Sequence, residues 1–274
     1  MRPGAGGELG NSPEAIAAAF VAARRAGAAL HDFPGPIPAT LAEGYAIQER
    51  AIGRWPDAVA GWKVGAIAPA QRERDGDARL VGPVFRGNLQ WANDGDVLDF
   101  PVFEGGFAAV EGEFVFRLAR DADAAQKTFS PADAAQLVAS MHVGIETAGS
   151  PLATINALGP TVIVSDFGNN AGLIVGPPIS DWRTRAPQSL TCTTYVAGMS
   201  VGRGAADAID GGPLSALAFA LGHLARRGRR ARAGDCITTG AITGVHDVVA
   251  GQPAHVVFDG IATLRCRAVR AKAQ

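Results

Sequence analysis

The chain has 274 residues, 47% of them apolar and 19% charged, with a formal net charge of −1. This composition excludes a disordered chain, and the near-neutral balance leaves no basic footprint for nucleic acid. Cys192, Cys236 and Cys266 stand far apart with no C-x-x-C pair, which excludes a disulfide framework and fits a reducing compartment.

Residues 1 to about 10 are Gly-rich, read as disordered, and lack the apolar stretch of a signal peptide. No apolar run reaches membrane-spanning length, so a soluble, cytoplasmic protein is expected. Ser12 is a good N-cap, with Pro13 at the first helical position. Ile16, Phe20 and Val21 then share one helix face, and the helix closes near Gly27. Phe33-Pro34-Gly35-Pro36-Ile37-Pro38 is a stiff connector. Thr40 and Glu43 form a capping-box pattern for a second helix carrying Leu41, Tyr45, Ile47, Gln48 and Ile52. That helix stops before Trp55-Pro56.

From Val59 onward, short apolar runs alternate with Gly, Pro, Asp and Asn. Strands are expected over 61–67, 97–100, 108–118, 141–147, 161–164, 171–175, 191–196, 235–239, 255–258 and 261–269. Two helices interrupt them. Ser130 caps one, with Pro131 first, to about Ala139; the other runs from Pro213 through Leu217, Leu221 and Leu224 to about Gly228. Clustered strands with few helices predict an α+β fold rather than a doubly wound sheet. The expected layout is a helical N-terminal segment over 1–56 and a mixed β core over 57–274. Neither G-x-G-x-x-G after a strand nor G-x-x-x-x-G-K-[ST] occurs, so nucleotide folds have no support. The arginines between Arg226 and Arg232 read as a solvated helix C-terminus, where cations are favoured.

The chemistry concentrates in Phe107-Ala108-Ala109-Val110-Glu111-Gly112-Glu113-Phe114-Val115-Phe116. On a strand, Glu111 and Glu113 project from one face and Val110, Phe114 and Phe116 from the other. Cα atoms two residues apart lie roughly 6.6 Å from each other, so one cation can reach both carboxylates. The alternative is the wet face of an edge strand. Glu146, in His142-Val143-Gly144-Ile145-Glu146-Thr147, is a third acid in a similar apolar setting. Three carboxylates completed by water suit Mg²⁺ or Mn²⁺.

Lys63 sits in Gly61-Trp62-Lys63-Val64-Gly65. Buried beside a metal it would serve as an acid/base group or hold a substrate carboxylate; otherwise it snorkels from a strand end. Ser165-Asp166-Phe167-Gly168-Asn169-Asn170-Ala171-Gly172 is either an Asx turn or a pocket-lining loop. Thr238-Thr239-Gly240 can bind a carboxylate through backbone N–H groups, or is simple turn chemistry. His142, His223, His246 and His255 show no ligand spacing, and His223 reads as structural. No G-x-S-x-G occurs.

Taken in order, several segments resemble one family. They are Ala46-Ile47-Gln48, Gly61-Trp62-Lys63-Val64-Gly65, Gly82-Pro83, Gly87-Asn88-Leu89, Glu111-Gly112-Glu113-Phe114 and Gly144-Ile145-Glu146. After them come the stretch from Asn169 to Gly176, Ala233-Gly234-Asp235 and Thr238-Thr239-Gly240. From about residue 12 onward the chain resembles the 2-keto-4-pentenoate hydratase and 4-oxalocrotonate decarboxylase branch of the fumarylacetoacetate hydrolase (FAH) superfamily. The resemblance implies a mixed β roll or barrel and a Mg²⁺ or Mn²⁺ site on Glu111, Glu113 and Glu146. It places Lys63 at the family's active-site lysine, lets Asn169, Thr239 and Gly240 contact substrate, and implies a homo-oligomer. Glu146, where the hydrolase branch more often has aspartate, favours the hydratase side. The chain departs from the pattern at Ala109, at Gly112, at Gly149-Ser150-Pro151 and at Phe85-Arg86, so the metal seat is matched better than the substrate pocket.

The implied activity is metal-dependent hydration of a 2-hydroxy-2,4-dienoate from aromatic-ring cleavage. The alternatives are a decarboxylase or C–C hydrolase on a related 2-oxo acid, and a non-catalytic assembly partner. The expected ligand is a small 2-oxo or 2-hydroxy-enoate acid, with no nucleic acid and no membrane.

Overall fold

Ser12 Oγ accepts the Ala15 N–H at 3.2 Å and opens α1 (Pro13–Ala26), which closes on Gly27 in the left-handed region. Thr40 Oγ1 accepts the Glu43 N–H at 3.2 Å and opens α2 (Leu41–Arg54). The Glu43 carboxylate takes the Ala39 N–H at 2.8 Å, one residue earlier than a capping box requires. In the computed structural model, residues 12–74 and 76–273 are described. The Gly-rich start, expected to be disordered, lies outside them.

The rest forms two sheets. The larger contains β1 (Val59–Ala66), β2 (Arg79–Phe85), β3 (Leu89–Trp91), β5 (Phe107–Leu118), β6 (Val138–Ser150), β7 (Asn170–Pro178) and β10 (Cys236–Thr238). Its order is β2-β1-β10-β5-β6-β7-β3, with β11 (His246–Asp247) paired to β5. The smaller sheet runs β4-β13-β12-β8-β9. Its members are β4 (Val97–Val102), β8 (Thr191–Val196), β9 (Met199–Ala205), β12 (Pro253–Phe258) and β13 (Ala262–Arg270).

The alternation on β5 decides the layering. Its apolar face meets the smaller sheet, with Phe114 and Phe258 ring centroids 5.8 Å apart. A Cβ at Gly112 would lie 3.1 Å from Val256 Cγ1, so glycine there lets the sheets approach closely. The acidic face looks the other way. The register pairs Lys63 with Gly82, and a Cβ at Gly168 would sit 3.4 Å from Lys63 Cδ. The Phe167–Asn169 turn therefore lies over the Lys63 side of the sheet.

Residues 161–164, expected as a strand, belong instead to the helix α4 (Pro160–Ser165). A short β-branched run does not reveal its period; Gly159 at φ +94 and Pro160 at the first helical position set the helix. The helix expected from Ser130 to about Ala139 is α3 (Pro131–Gln136), and Val138 already starts β6. Its capping box is complete between Ser130 and Asp133. Strand β2 went unread because Gly82-Pro83 resembles a turn; β2 is an edge strand, where proline costs no ladder bond. In β9, Gly202 and Gly204 interrupt the pattern because the 242–243 backbone packs against them.

The arginine cluster is only in part a solvated helix end: Arg226, Arg230 and Arg232 are exposed, while Arg227 and Arg229 are half-buried. After α5 (Pro213–Arg226), Arg227 and Arg229 both pair with Glu49 on α2, and Arg227 lies 4.0 Å over the Tyr45 ring. Only 11% of the Arg227 side chain is exposed. Among the described residues no helix is long and apolar enough to cross a membrane.

Candidate active site

Strands β5 and β6 bring the three acids together. Glu111 pairs with Glu146 and Glu113 with Gly144 in antiparallel register, so all three side chains leave one face of the sheet. One oxygen from each lies within 4.8 Å of the others. Glu113 and Glu146 are fully buried and Glu111 is 6% exposed, which removes the reading as the wet face of an edge strand.

The protein satisfies these carboxylates only in part. Glu113 Oε2 accepts the Thr239 N–H at 2.9 Å and the Gly240 N–H at 2.7 Å. Glu146 Oε1 accepts Asn170 Nδ2 at 3.0 Å and lies 3.4 Å from Lys63 Nζ. Glu113 Oε1 and Glu146 Oε2 are buried without a hydrogen-bond partner. An orphaned carboxylate oxygen is costly to bury. A hard cation takes such oxygens as ligands.

Electrostatics agree. Burial pushes the Glu111 carboxyl up to about 8, with Glu146 adding to the rise and Lys63 opposing it. Burial, then Glu146 and Glu111, holds Glu113 well above the usual carboxylate range. Burial by itself would lower Lys63, but Glu146, Glu111 and Glu113 together raise it, so the ammonium stays charged. Three ionised carboxylates around one ammonium lack two positive charges, which is the deficit a divalent ion fills.

A buried scaffold fixes the second strand of the cluster. Arg24 on α1 donates from Nε to Asp166 Oδ1 at 2.6 Å and from Nη2 to Asp166 Oδ2 at 2.9 Å. The same guanidinium binds Asn170 O at 3.0 Å and Gly149 O at 2.9 Å. Ser150 Oγ donates to Asp166 Oδ2 at 2.6 Å. Arg24 thus clamps the backbone of Asn170, whose side chain holds Glu146. On the other side, Thr239 Oγ1 donates to Phe114 O at 3.0 Å and Thr238 Oγ1 accepts the Val64 N–H at 3.2 Å.

Of the residues singled out in the sequence, Lys63, Glu111, Glu113 and Glu146 converge. Thr239 and Gly240 join them through backbone N–H groups, which hold the protein's own Glu113. Asn169, at φ +61, points its amide nitrogen to Asn156 Oδ1 at 3.2 Å, and its Oδ1 is buried without a partner. Its neighbour Asn170 is the residue that reaches Glu146. Which asparagine faces the acids depends on where β7 begins, and the Phe167–Asn169 turn hides that point in the sequence. Arg24 carried no signal, because it looks like an ordinary basic residue in the last turn of a helix.

No model of a known protein family matches this sequence, and no curated protein does. Solved structures do match. 4-Oxalocrotonate decarboxylase from Pseudomonas putida G7, complexed with magnesium and adipate, aligns at TM-score 0.77 and 22% identity over 94% of this chain and 97% of that chain. The same enzyme complexed with calcium and acetate gives 0.76 and 21% over equal shares. Fumarylpyruvate hydrolase from Pseudomonas aeruginosa, in complex with Mn²⁺ and pyruvate, gives 0.54 and 17% over 76% of this chain and 88% of that chain. The expected α+β core therefore has the FAH fold.

Proposed function

We propose that the chain is a divalent-metal-dependent lyase of the FAH superfamily, acting on a small 2-oxo or 2-hydroxy-enoate acid. One observation carries this reading. Glu113 Oε1 and Glu146 Oε2 are buried without partners in a cluster completed by Glu111, and beside them stands a charged lysine. Glu111, Glu113 and Glu146 would hold Mg²⁺ or Mn²⁺. When bound, that ion supplies Lewis-acid stabilisation of the negative charge that develops on the substrate oxygens.

The chain's own groups supply the rest. Lys63 Nζ, on the same face as the acids, can hold the substrate carboxylate or move a proton. The Thr239 and Gly240 N–H groups fix Glu113, and Asn170 fixes Glu146, so the acids are oriented before substrate arrives. Burial beneath the Phe167–Asn169 turn excludes bulk water from Lys63.

The first reading of the reaction is hydration of a 2-hydroxy-2,4-dienoate: a proton moves to carbon, and water adds at the far carbon of the conjugated ketone. A second reading is decarboxylation of a related 2-oxo diacid. The near full-length match to a decarboxylase favours it, against the partial match to the hydrolase. Incubation with Mg²⁺ separates them. Loss of the ultraviolet absorbance of 2-hydroxypenta-2,4-dienoate with an 18 Da mass gain supports hydration. CO₂ release from 4-oxalocrotonate supports decarboxylation. Absence of turnover across a panel of 2-oxo acids, with Mg²⁺ bound, would overturn both.

A further inference from the structure

Further along β6 from Glu146, on the same face of the sheet, stands a second cluster. Alternation puts Ser140, His142, Gly144 and Glu146 on one side of that strand, and the ladder sets Val115 opposite His142 and Arg117 opposite Ser140. The Cα atoms of His142 and Glu146 are roughly 13 Å apart at strand spacing. Buried Val115, which a Cβ at Gly144 would strike, fills the space between, so the two clusters are separate.

His142 is held as a neutral base. Burial lowers its pKa; the Gly176 hydrogen bond opposes the fall and Arg117 adds to it. Its Nδ1 lies 2.8 Å from Gly176 O on β7. A carbonyl only accepts, so Nδ1 carries the ring proton and Nε2 keeps its lone pair. Ser140 Oγ lies 2.7 Å from Nε2, and its hydroxyl therefore donates to that nitrogen. A serine proton directed at an imidazole whose far nitrogen is oriented by a third group is the arrangement that activates a hydroxyl nucleophile. Here the orienting group is a backbone carbonyl.

The surroundings suit a small acyl group. His142 is buried while Ser140 is half-buried, so the pair is approached from the serine side. The Trp91 ring, 48% exposed, stands edge-to-face with His142 at 5.4 Å and offers an apolar ledge beside the pair. Arg117 is exposed opposite Ser140, and among the described residues no acid pairs with it. Its charge is free to meet a carbonyl oxygen that turns negative.

We propose that Ser140 and His142 form a second, metal-independent site that hydrolyses small acyl esters through an acyl-serine. Ser140 Oγ bonds to the ester carbonyl carbon, and its proton passes to His142 Nε2. The C–O bond to the alcohol breaks, and the alcohol leaves with that proton. Water then adds to the acyl carbon, giving a proton to His142 Nε2. The bond to Ser140 Oγ breaks, Ser140 regains a proton from His142, and the carboxylic acid departs. Neither step draws on the glutamates or on a metal ion, so this activity goes beyond the lyase reading and stands or falls apart from it.

The probes are 4-nitrophenyl acetate and an alkyl fluorophosphonate, applied to the full chain in chelator. The fluorophosphonate should lose fluoride to the activated hydroxyl and leave one phosphonate per chain, which peptide mass spectrometry should place on Ser140. Release of 4-nitrophenolate should continue over many turnovers. Ser140→Ala should lose the label and about 100-fold or more of the ester hydrolysis rate, and His142→Gln should slow labelling of Ser140 by a similar factor. A wild type that takes no label, takes it on another residue, or releases only a single burst of 4-nitrophenolate overturns the site. So does Ser140→Ala hydrolysing the ester at the wild-type rate, or His142→Gln taking label at the wild-type rate. Mapping the label on the wild type decides the question even where a variant fails to fold.

Discussion

Glu111 and Glu146 stand directly opposite one another across the β5–β6 ladder, both buried. Like charges in that relation repel, and burial makes either charge harder to keep. A sheet selected only for stability would not place them so. Glu111→Gln should therefore raise the thermal midpoint of the metal-free protein while weakening divalent-ion binding. At this chain length each kcal/mol shifts the midpoint by about 2–4 °C. Scanning calorimetry with chelator and with added Mn²⁺ checks both halves. A variant less stable than wild type in chelator would show that the opposed acids are not strained.

Among the described residues Lys63 supplies the one positive charge in the cluster, 3.4 Å from Glu146 Oε1. Lys63→Met should reduce turnover by roughly 10²-fold or more, the usual scale for a positioned proton-transfer group. It should also lower metal-free stability, because the glutamates lose their counter-ion. Lys63→Arg should fail to restore turnover, since the planar fork does not replace a compact ammonium. Steady-state kinetics together with thermal melts read this out. Near-wild-type kcat in Lys63→Met would remove the lysine from the chemistry.

Arg24 and Asp166 form a buried pair that also clamps the Asn170 and Gly149 carbonyls. Removing one partner strands the other, so Asp166→Asn should cost on the order of 3–5 kcal/mol of stability. Asn170→Ala should be milder in stability but should weaken Mn²⁺ affinity by roughly 10–100-fold, as expected for a group that orients a ligand. Denaturant melts and calorimetric titration distinguish the two effects. Unchanged Mn²⁺ affinity in Asn170→Ala would make the Asn170–Glu146 bond incidental.

The acid pair at Glu111 and Glu113, the third acid at Glu146 and the lysine at Lys63 could all be read in the sequence, because alternation on a strand needs no tertiary knowledge. The helix caps at Ser12 and Ser130 were equally legible, since capping is a local interaction. What stayed hidden depends on distant partners. The run 161–164 is helical because of Gly159 and Pro160, β2 tolerates Pro83 because it lies at a sheet edge, and Arg227 is half-buried because Glu49 and Tyr45 receive it. Asn170 rather than Asn169 serves Glu146 because the preceding turn sets the start of β7.

His223 gives a pH signature away from the acid cluster. Burial lowers its pKa, with the Asp77 hydrogen bond opposing and Arg227 and Arg226 adding to the fall; the Phe219 ring stacks on it and the Tyr45 ring lies tilted against it. A depressed folded-state value means that its contribution is fully present above the ordinary histidine range, near 6.5, and is lost as pH falls below it. His223→Gln should therefore lose less stability than wild type between about pH 7.5 and pH 5.5. Melts at the two pH values check this; parallel losses in both proteins would assign the acid sensitivity elsewhere.

Calorimetric titration of the chelator-treated protein with Mn²⁺, beside the same titration of Glu113→Gln, probes the convergence of the three acids most directly. Wild type should take up one ion per chain, and the variant should bind far more weakly although its Thr239 and Gly240 contacts can persist through the remaining oxygen. Equal binding by both proteins, or none by the wild type, would contradict a metal centre on Glu111, Glu113 and Glu146.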